Sequence, residues 1–389
     1  MAGDGAVRLG YVAAWQHNDR AATWSGTTLH LQEALARQPG LRLVDVDATP
    51  PRALVAGLRR ATWRREDGRW EHPTRYTRAA TALFEATARR AARRAEANGD
   101  VSAYLTIGDL AALDRPYWVY QDMSYDWLRR LRRQVPPGMV MGAGFAGVTQ
   151  AMVERLWARQ KAVFERAAGV LTMAEWIRQD MIERSGLDPD RVHTVYGGAT
   201  ALPTRAVDPA EQHSPGERLL FIGRHLEAKG ADDLVAAFRI LRKRRPELRL
   251  TVAGPTAWTL PDPPPLGVTF EGPVGLDRVR RLYATHDLFV MPSRFEGFGI
   301  VFVEALAHGL PCIGRDLMAM PELISPGVNG ALLSAGGGAE ELASLIDDCL
   351  DDDQLHRSCR KGAEEVSRQF SWNAVAARIA EVIAAGDLR

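Results

Sequence analysis

Two glutamates, Glu296 and Glu304, bracket an apolar run in SRFEGFGIVFVEALAHG, residues 293–309. A carboxylate beside that much hydrocarbon is costly unless something polar holds it. The pair therefore points either to a polar ligand laid along the segment or to two acids that merely border a helix. In a continuous helix their spacing puts the carboxylates about 80° apart around the axis and about 12 Å apart along it, too far to share a proton or a metal. Gly297 and Gly299 predict a loop that carries Glu296, with a helix starting just after it and stopping at Gly309. A loop acid, free amides at a helix start and a second acid deeper in the helix suit an elongated ligand: one acid at a hydroxyl-rich sugar, the amides at a diphosphate, the other acid at a ribose diol.

A second group lies in FIGRHLEAKGADD, residues 221–233. An apolar strand ends at Gly223, and Arg224 and Lys229 fall in the loop before a helix. Two fixed cations at such a junction form an anion site suited to a diphosphate, each charge-assisted hydrogen bond contributing about 1.5–3 kcal/mol. A basic residue beside a helix start also occurs without any ligand. Two other patterns are set aside. GAGFAG, Gly142 to Gly147, fits the dinucleotide fingerprint, but it follows RRQVPPGMVM rather than a full strand, and the acid about twenty residues on, Glu165, falls inside a helix. Asp45-Val46-Asp47 resembles a metal pair and reads as the end of a strand, while His225 and His286 read as loop and helix-end residues.

The elements that must position these residues alternate along the chain. VRLGYVAAW reads as a buried strand, and SGTTLHLQEALARQPG as a helix entered through Ser25-Gly26-Thr27. LRLVDVDA, VSAYLTIGD, YWVYQD, GVLTM and RVHTVYGG supply further strands, with helices near 52–63, 75–97, 148–168 and 174–186. Residues 199–217 lose periodicity and hold three prolines, as a linker does. A second series follows: strands at RLLFIG, LRLTVAG, VTFEG, DLFVMPS and PCIG, with helices at 230–246, 275–286, the Glu296 segment and 338–352. A last helix follows Trp372. Alternation of this kind predicts parallel sheets covered on both faces. The expected organisation is 1–198 as a first doubly wound domain, 199–217 as linker, 218–370 as a second doubly wound domain and 371–389 as a last helix. Two doubly wound α/β domains facing across a cleft would bind ligands beyond the carboxyl ends of their strands.

The chain has 389 residues, 46% of them hydrophobic and 25% charged, as in an ordinary globular protein. No apolar run is long enough to span a bilayer, and the start MAGDGAVRLGYVAAWQ has no signal-peptide pattern, so a cytoplasmic location is expected. Cys312, Cys349 and Cys359 form an odd set without metal-ligand spacing and read as reduced thiols. Net charge is uneven: residues 1–200 hold 28 Lys+Arg against 22 Asp+Glu, and the remainder 21 against 26. Between Arg52 and Arg94, twelve arginines face four acids. That region is a solvated helix face or a contact for an anionic partner, such as the inner face of a membrane or a phosphorylated acceptor; nucleic acid is not expected.

GRHLEAKG, then VTFEGPVGLDRVRRLYATHDLFVMPSRFEGFGIVFVEALAHGLPCIG, then MPELISPGVNGALL resemble the donor-binding half of glycosyltransferase family 4, retaining enzymes with the GT-B fold. SGTTLHLQEAL is similar to that family's glycine loop with its following His, here Gly26 and His30. VHTVYGG resembles the segment before its linker, and FSWNAVAARI its closing helix, which crosses back to the first domain. The resemblance implies a metal-independent hexosyltransferase without cofactor, using a nucleoside-diphosphate sugar such as a UDP-sugar. Arg224 and Lys229 would neutralise the leaving diphosphate, Glu296 would contact the sugar and Glu304 the ribose. The amides of Gly297, Phe298, Gly299 and Ile300, with Gly26, Gly223 and Val274, complete the implied donor site. Ser25, Thr27, Gln121 and Asp122 fall on the acceptor side, with Asp122 counted among the catalytic residues. The acceptor, whether small metabolite, saccharide or lipid, is not specified. Another GT-B reaction on a sugar nucleotide, epimerisation or phosphorolysis, is the nearest alternative; a non-catalytic binding or peripheral membrane protein is the more distant one. Three positions depart from the family: Gln121 where a His is common, Ser25 where a Gly is common, and Met318-Ala319 where a Gly pair often precedes Pro-Glu.

Overall fold

Unbroken apolar runs in the first half form strands buried on both faces, as a parallel sheet demands. The computed structural model describes residues 6–16, 19–62, 64–66, 69–71, 73–134, 145, 147–205, 207 and 216–386. Most of the Gly142–Gly147 fingerprint therefore lies outside the described residues. By internal contacts the chain divides into two units, Met1–Gly198 with Trp372–Arg389, and Ala199–Ser371.

In the first unit β1 (Val7–Ala13) is followed by α1 (Thr27–Leu35), β2 (Leu41–Asp47) and α2 (Arg52–Ala61). A short antiparallel pair, β3 (Arg64–Glu66) and β4 (Arg69–Glu71), leads to α3 (Arg78–Ala97). Then come β5 (Ala103–Ile107), β6 (Tyr117–Gln121), α4 (Tyr125–Gln134), α5 (Gln150–Arg166), β7 (Gly169–Thr172), α6 (Glu175–Glu183) and β8 (Val192–Thr194). The six-stranded sheet has the order β2-β1-β5-β6-β7-β8 and is parallel throughout. Strand order reverses between β1 and β5, so the carboxyl ends around that point are where a ligand crevice belongs. Every residue of β6 is buried, and Trp118 on it finds room because its neighbour is Gly169, where a Cβ would sit 2.8 Å from the indole.

The second unit repeats the pattern. It runs β9 (Arg218–Ile222), α7 (Ala231–Leu241), β10 (Arg249–Ala253), β11 (Val268–Gly272), α8 (Leu276–Thr285), β12 (Leu288–Val290), α9 (Ile300–Ala307) and β13 (Cys312–Arg315). It ends with α10 (Met320–Leu323), β14 (Gly330–Leu333), α11 (Ala339–Asp351) and α12 (Asp353–Gln369). The sheet order β11-β10-β9-β12-β13-β14 reverses between β9 and β12. A final helix, α13 (Trp372–Ala385), returns to the first unit, where it packs on α1 and Arg378 Nε donates to the Val195 carbonyl at 2.9 Å. All three cysteines are buried and unpaired, and burial pushes the Cys349 and Cys359 thiols up to about 12. Among the described residues no helix is long and apolar enough to cross a membrane.

Several boundaries move for identifiable reasons. The helix expected from 148 begins at Gln150 because the Thr149 hydroxyl accepts from the Met152 amide and caps it. The strand expected over RVHTVYGG stops at Thr194, and Tyr196 turns left-handed at φ 65°. Helix α12 is absent from the sequence expectation: the Asp352 side chain caps it one residue after α11 ends, so no turn signal separates the two.

At the return point Gly198 is packed against Trp372, where a Cβ would lie 2.3 Å from the indole. Gly198→Ala is expected to lower stability by about 1–3 kcal/mol through overpacking, read as a drop in melting temperature. Gly57→Ala, where a Cβ meets nothing within 4 Å in the middle of α2, should be neutral or stabilising.

Candidate functional site

The strand reversal in the second unit brings together two loops that are distant in sequence. After β9, residues 223–230 lead into α7; after β12, residues 291–299 lead into α9. Gly230, left-handed at φ 74°, forms the N-cap of α7, and a Cβ there would sit 2.3 Å from the Pro292 carbonyl oxygen. Only glycine permits both that backbone angle and that approach. Across the contact Lys229 Nζ donates to Glu296 Oε2 at 2.7 Å and to the Phe295 carbonyl at 2.9 Å. Both side chains are largely buried, 20% and 15% exposed, so each depends on the other for charge compensation. Gly223 lies beneath this pair, a Cβ there meeting Lys229 Cγ at 3.2 Å. Arg224 is exposed and has no hydrogen-bond or ion-pair partner among the described residues. His225 beside it is held below the usual imidazole range by burial and by the Lys229 and Arg224 charges.

A second set of contacts, not anticipated from sequence, fastens the same loops. The Arg294 amide donates to the Ala228 carbonyl at 2.9 Å, and its guanidinium reaches Asp232 through both terminal nitrogens, 2.7 and 2.9 Å, and Asp233 at 2.5 Å. Buried Arg315, at the end of β13, holds Asp233 at 2.7 Å, the Pro292 carbonyl at 3.2 Å and the Gly337 carbonyl at 2.8 Å. The cluster puts two carboxylates in the first turn of α7, where the helix dipole favours them, and neutralises them with two guanidinium groups.

Helix α9 begins at Gly299, left-handed at φ 88°, with no side-chain cap. The Phe302 amide turns back to the Gly299 carbonyl at 2.9 Å, while the amides of Ile300 and Val301 have no acceptor among the described residues. Gly297, Phe298, Gly299 and Ile300 are thus gathered with Lys229 and Glu296, and a Cβ on Gly299 would lie 3.3 Å from Glu296 Cγ and 2.6 Å from Met320 Cε. The loop before Met320 contains Met318 at φ 54°, a left-handed angle that glycine would adopt without strain. Val274 sits in the loop between β11 and α8.

Glu304, on the same helix, is 6% exposed and already bonded. Its Oε1 accepts from the amides of Thr200 and Ala201 at 3.1 and 2.8 Å, and its Oε2 from the Tyr283 hydroxyl at 3.2 Å. Arg280 adds bonds to the carbonyls of Leu202 and Thr200 at 3.1 and 3.2 Å. Burial lifts the Glu304 carboxyl above the usual range, while the two amides pull the other way. Any ribose contact has to share the carboxylate with these three donors. Tyr283 and Arg280 went unnoticed in the sequence because nothing in LDRVRRLYATH marks which face meets residues 199–202.

In the first unit the loop before α1 is strained. Trp24 and Ser25 are left-handed at φ 49° and 55°, followed by Gly26 at 90°. Such backbone costs on the order of 1 kcal/mol per non-glycine residue and persists only where packing dictates it. Here the Trp24 ring packs edge-on against Tyr120, 5.8 Å away, and the Thr23 hydroxyl accepts from the Gln16 amide at 2.9 Å. Thr27 opens α1, and Gly26 leaves room for His30, whose Cδ2 would lie 3.2 Å from a Cβ. Next to Tyr120, Gln121 donates to the Met123 carbonyl at 2.6 Å, while its buried Oε1 has no hydrogen-bond partner among the described residues. Asp122 follows at the end of β6, and Trp15 Nε1 and Thr28 Oγ1 are likewise buried without partners. Asp45 and Asp47 are instead held by Arg20 at 2.8 and 3.2 Å. His286 is fixed between the Leu282 carbonyl and Thr251.

Because Glu304 holds two amides and a hydroxyl, Glu304→Ala is expected to lose about 2–4 kcal/mol of stability in urea denaturation, and Tyr283→Phe roughly 1 kcal/mol. Equal stability of wild type and Glu304→Ala would contradict the bonding described.

Residues 216–352 match the family described as glycosyl transferases group 1. D-inositol 3-phosphate glycosyltransferase 2 of Catenulispora acidiphila is 29% identical over 296 residues, 68% of this chain and 68% of that protein. Against other relatives of the same name the chain spans roughly half to two thirds of their length. Among solved structures, sucrose-phosphate synthase from Thermosynechococcus elongatus superposes with a TM-score of 0.67 at 18% identity, covering 97% of this chain and 98% of that one. Anabaena HepE, solved with UDP and glucose, gives 0.60 at 15% identity over 97% and 99%. The two doubly wound parallel sheets have the GT-B fold, and the part of the chain that matches glycosyl transferases group 1, residues 216–352, holds the Lys229–Glu296 pair.

Proposed function

We propose that the protein is a retaining, metal-independent hexosyltransferase that moves a sugar from a nucleoside-diphosphate sugar, a UDP-sugar in the first instance, to a hydroxyl-bearing acceptor. The observation that carries this is the Lys229–Glu296 pair at the β9/β12 reversal, set beside the uncapped amides of α9 and the exposed Arg224. Those donors and cations suit a diphosphate, and they supply in fixed protein charge what a divalent metal supplies in other transferases. The Anabaena neighbour that contains UDP and glucose, and the relatives named D-inositol 3-phosphate glycosyltransferase, lend support to the same assignment.

Lys229 orients Glu296 and leaves Oε1 for the sugar hydroxyls. The acceptor oxygen attacks the anomeric carbon as the bond to the diphosphate breaks. Charge then develops on the leaving oxygen, where Arg224, Lys229 and the α9 amides stabilise it, and the acceptor proton passes to that oxygen. On the first unit we place the acceptor near Ser25, Thr27, Gln121 and Asp122, with the unpartnered Gln121 Oε1 accepting one of its hydroxyl groups. Gln121 does not titrate, so no acid/base step is assigned to it. A cytoplasmic location, where nucleotide sugars are made, belongs to the same proposal.

A thermal-shift screen of nucleoside-diphosphate sugars, followed by mass spectrometry of products from a metabolite extract, identifies donor and acceptor. Glu296→Ala and Lys229→Met each leave a buried charge uncompensated and should lower stability; in protein that melting and circular dichroism verify as folded, turnover should still fall by at least about 100-fold, consistent with loss of transition-state electrostatics. Unchanged transfer in both variants, or loss of transfer in EDTA, overturns the assignment, and the anomeric proton coupling of the product decides retention. Met318→Gly should relieve strain and raise stability by about 1 kcal/mol. The same change should broaden donor choice in the screen.

A further inference from the structure

Helix α2 is ten residues long, and none of them is buried. A helix that short is marginal in water on its own, and the fold offers it little packing to compensate. It has no acid, and its N-cap, Pro51, provides no side-chain bond. Val55 and Leu58 are half-buried; the remaining arc is exposed and carries Arg52, Arg59 and Arg60 among Ala53, Ala56 and Gly57. At the edge of this arc Leu54 stands 53% exposed, one of four large hydrophobic residues so placed among the described residues. Helix α3 packs on α2 and adds a second basic row along one of its own faces, lining an open cavity of about 750 Å³ with Arg89, Arg90, Arg93 and Arg94 beside a single acid, Glu85. Arg89 is occupied by Glu85 and Arg93 faces Asp114 at 3.7 Å, whereas Arg59, Arg60, Arg90 and Arg94 have no ion pair among the described residues.

The geometry points to the α2–α3 face as a docking surface for an anionic lipid bilayer. A solvated surface helix would be expected to mix its charges, whereas α2 carries no acid and the α3 row sets one glutamate, Glu85, among four arginines. The small residues between the arginines let phosphate head groups approach the guanidinium groups closely, and Leu54 offers a side chain to the acyl boundary. A soluble polyanion would use the arginines but gain nothing from Leu54. An anionic bilayer uses both, and its binding stabilises a helix that the fold itself leaves unsupported. The inference is independent of the proposed reaction.

Co-sedimentation of the full chain with phosphatidylcholine vesicles, alone or with about one third phosphatidylglycerol, tests it. Binding is expected only to the anionic vesicles, weakening as salt rises to half molar. Each arginine near the surface contributes about fivefold in partitioning, so Arg59→Glu/Arg60→Glu and Arg90→Glu/Arg94→Glu should each lower it by tenfold or more. Leu54→Asp should also reduce it at least tenfold, while Arg357→Glu on α12 leaves it unchanged. These are exposed positions, and circular dichroism and melting verify that each variant is folded. No binding, equal binding to neutral vesicles, or insensitivity to the α2 and α3 variants overturns the proposal. If Leu54→Asp has no effect and heparin competes fully, the face takes a soluble polyanion and the lipid assignment fails.

Discussion

The second unit is organised around one ion pair that joins residues 67 apart in sequence, Lys229 and Glu296. Neither charge is well solvated, so each is tolerable only while the other is in place. That condition requires the β9 and β12 loops to meet, which the strand reversal arranges and Gly230 allows. The Arg294–Asp232–Asp233–Arg315 cluster then pins the same loops from the other side. Lys229 and Glu296 are held in position before any ligand arrives, as electrostatic preorganisation requires.

Helix α9 carries two functions at its two ends. Its first turn presents free amides beside Glu296, while Glu304 grips the backbone of residues 200 and 201. The neighbouring residue, Ala199, donates to the Phe370 carbonyl and bridges Ser371. The chain therefore leaves and re-enters this unit through adjacent backbone segments, one of them tied to the helix that borders the ion pair. Nucleotide contact at Glu304 would compete directly with that tie.

The excess of arginine in the first half is of two kinds. Arg129 and Arg130 are bound to Asp126, with Arg130 reaching Asp180 on α6 at 2.6 Å, and Arg159 is held by Asp109 and Glu85. These are structural ties between elements. The arginines on the exposed arcs of α2 and α3 have fewer such partners, and composition alone does not separate the two kinds.

The sequence by itself determined the two alternating α/β series and the two motifs at the β9 and β12 ends, because apolar runs, glycines and charged loop residues are local signals. Through residue type and order it singled out Glu296, Lys229 and the helix start at Ile300 as candidates for one ligand site. Tertiary structure decided what each carboxylate touches. Glu296 meets Lys229, whereas Glu304 meets Thr200, Ala201 and Tyr283, and no periodicity within EGFGIVFVEA distinguishes those fates. It also decided that Arg294 and Arg315 share Asp233, that Gln121 Oε1 is buried unpaired, and that α2 has no buried face. Each of these is a relation between elements distant in sequence or a matter of burial, and both exist only once the sheets are assembled.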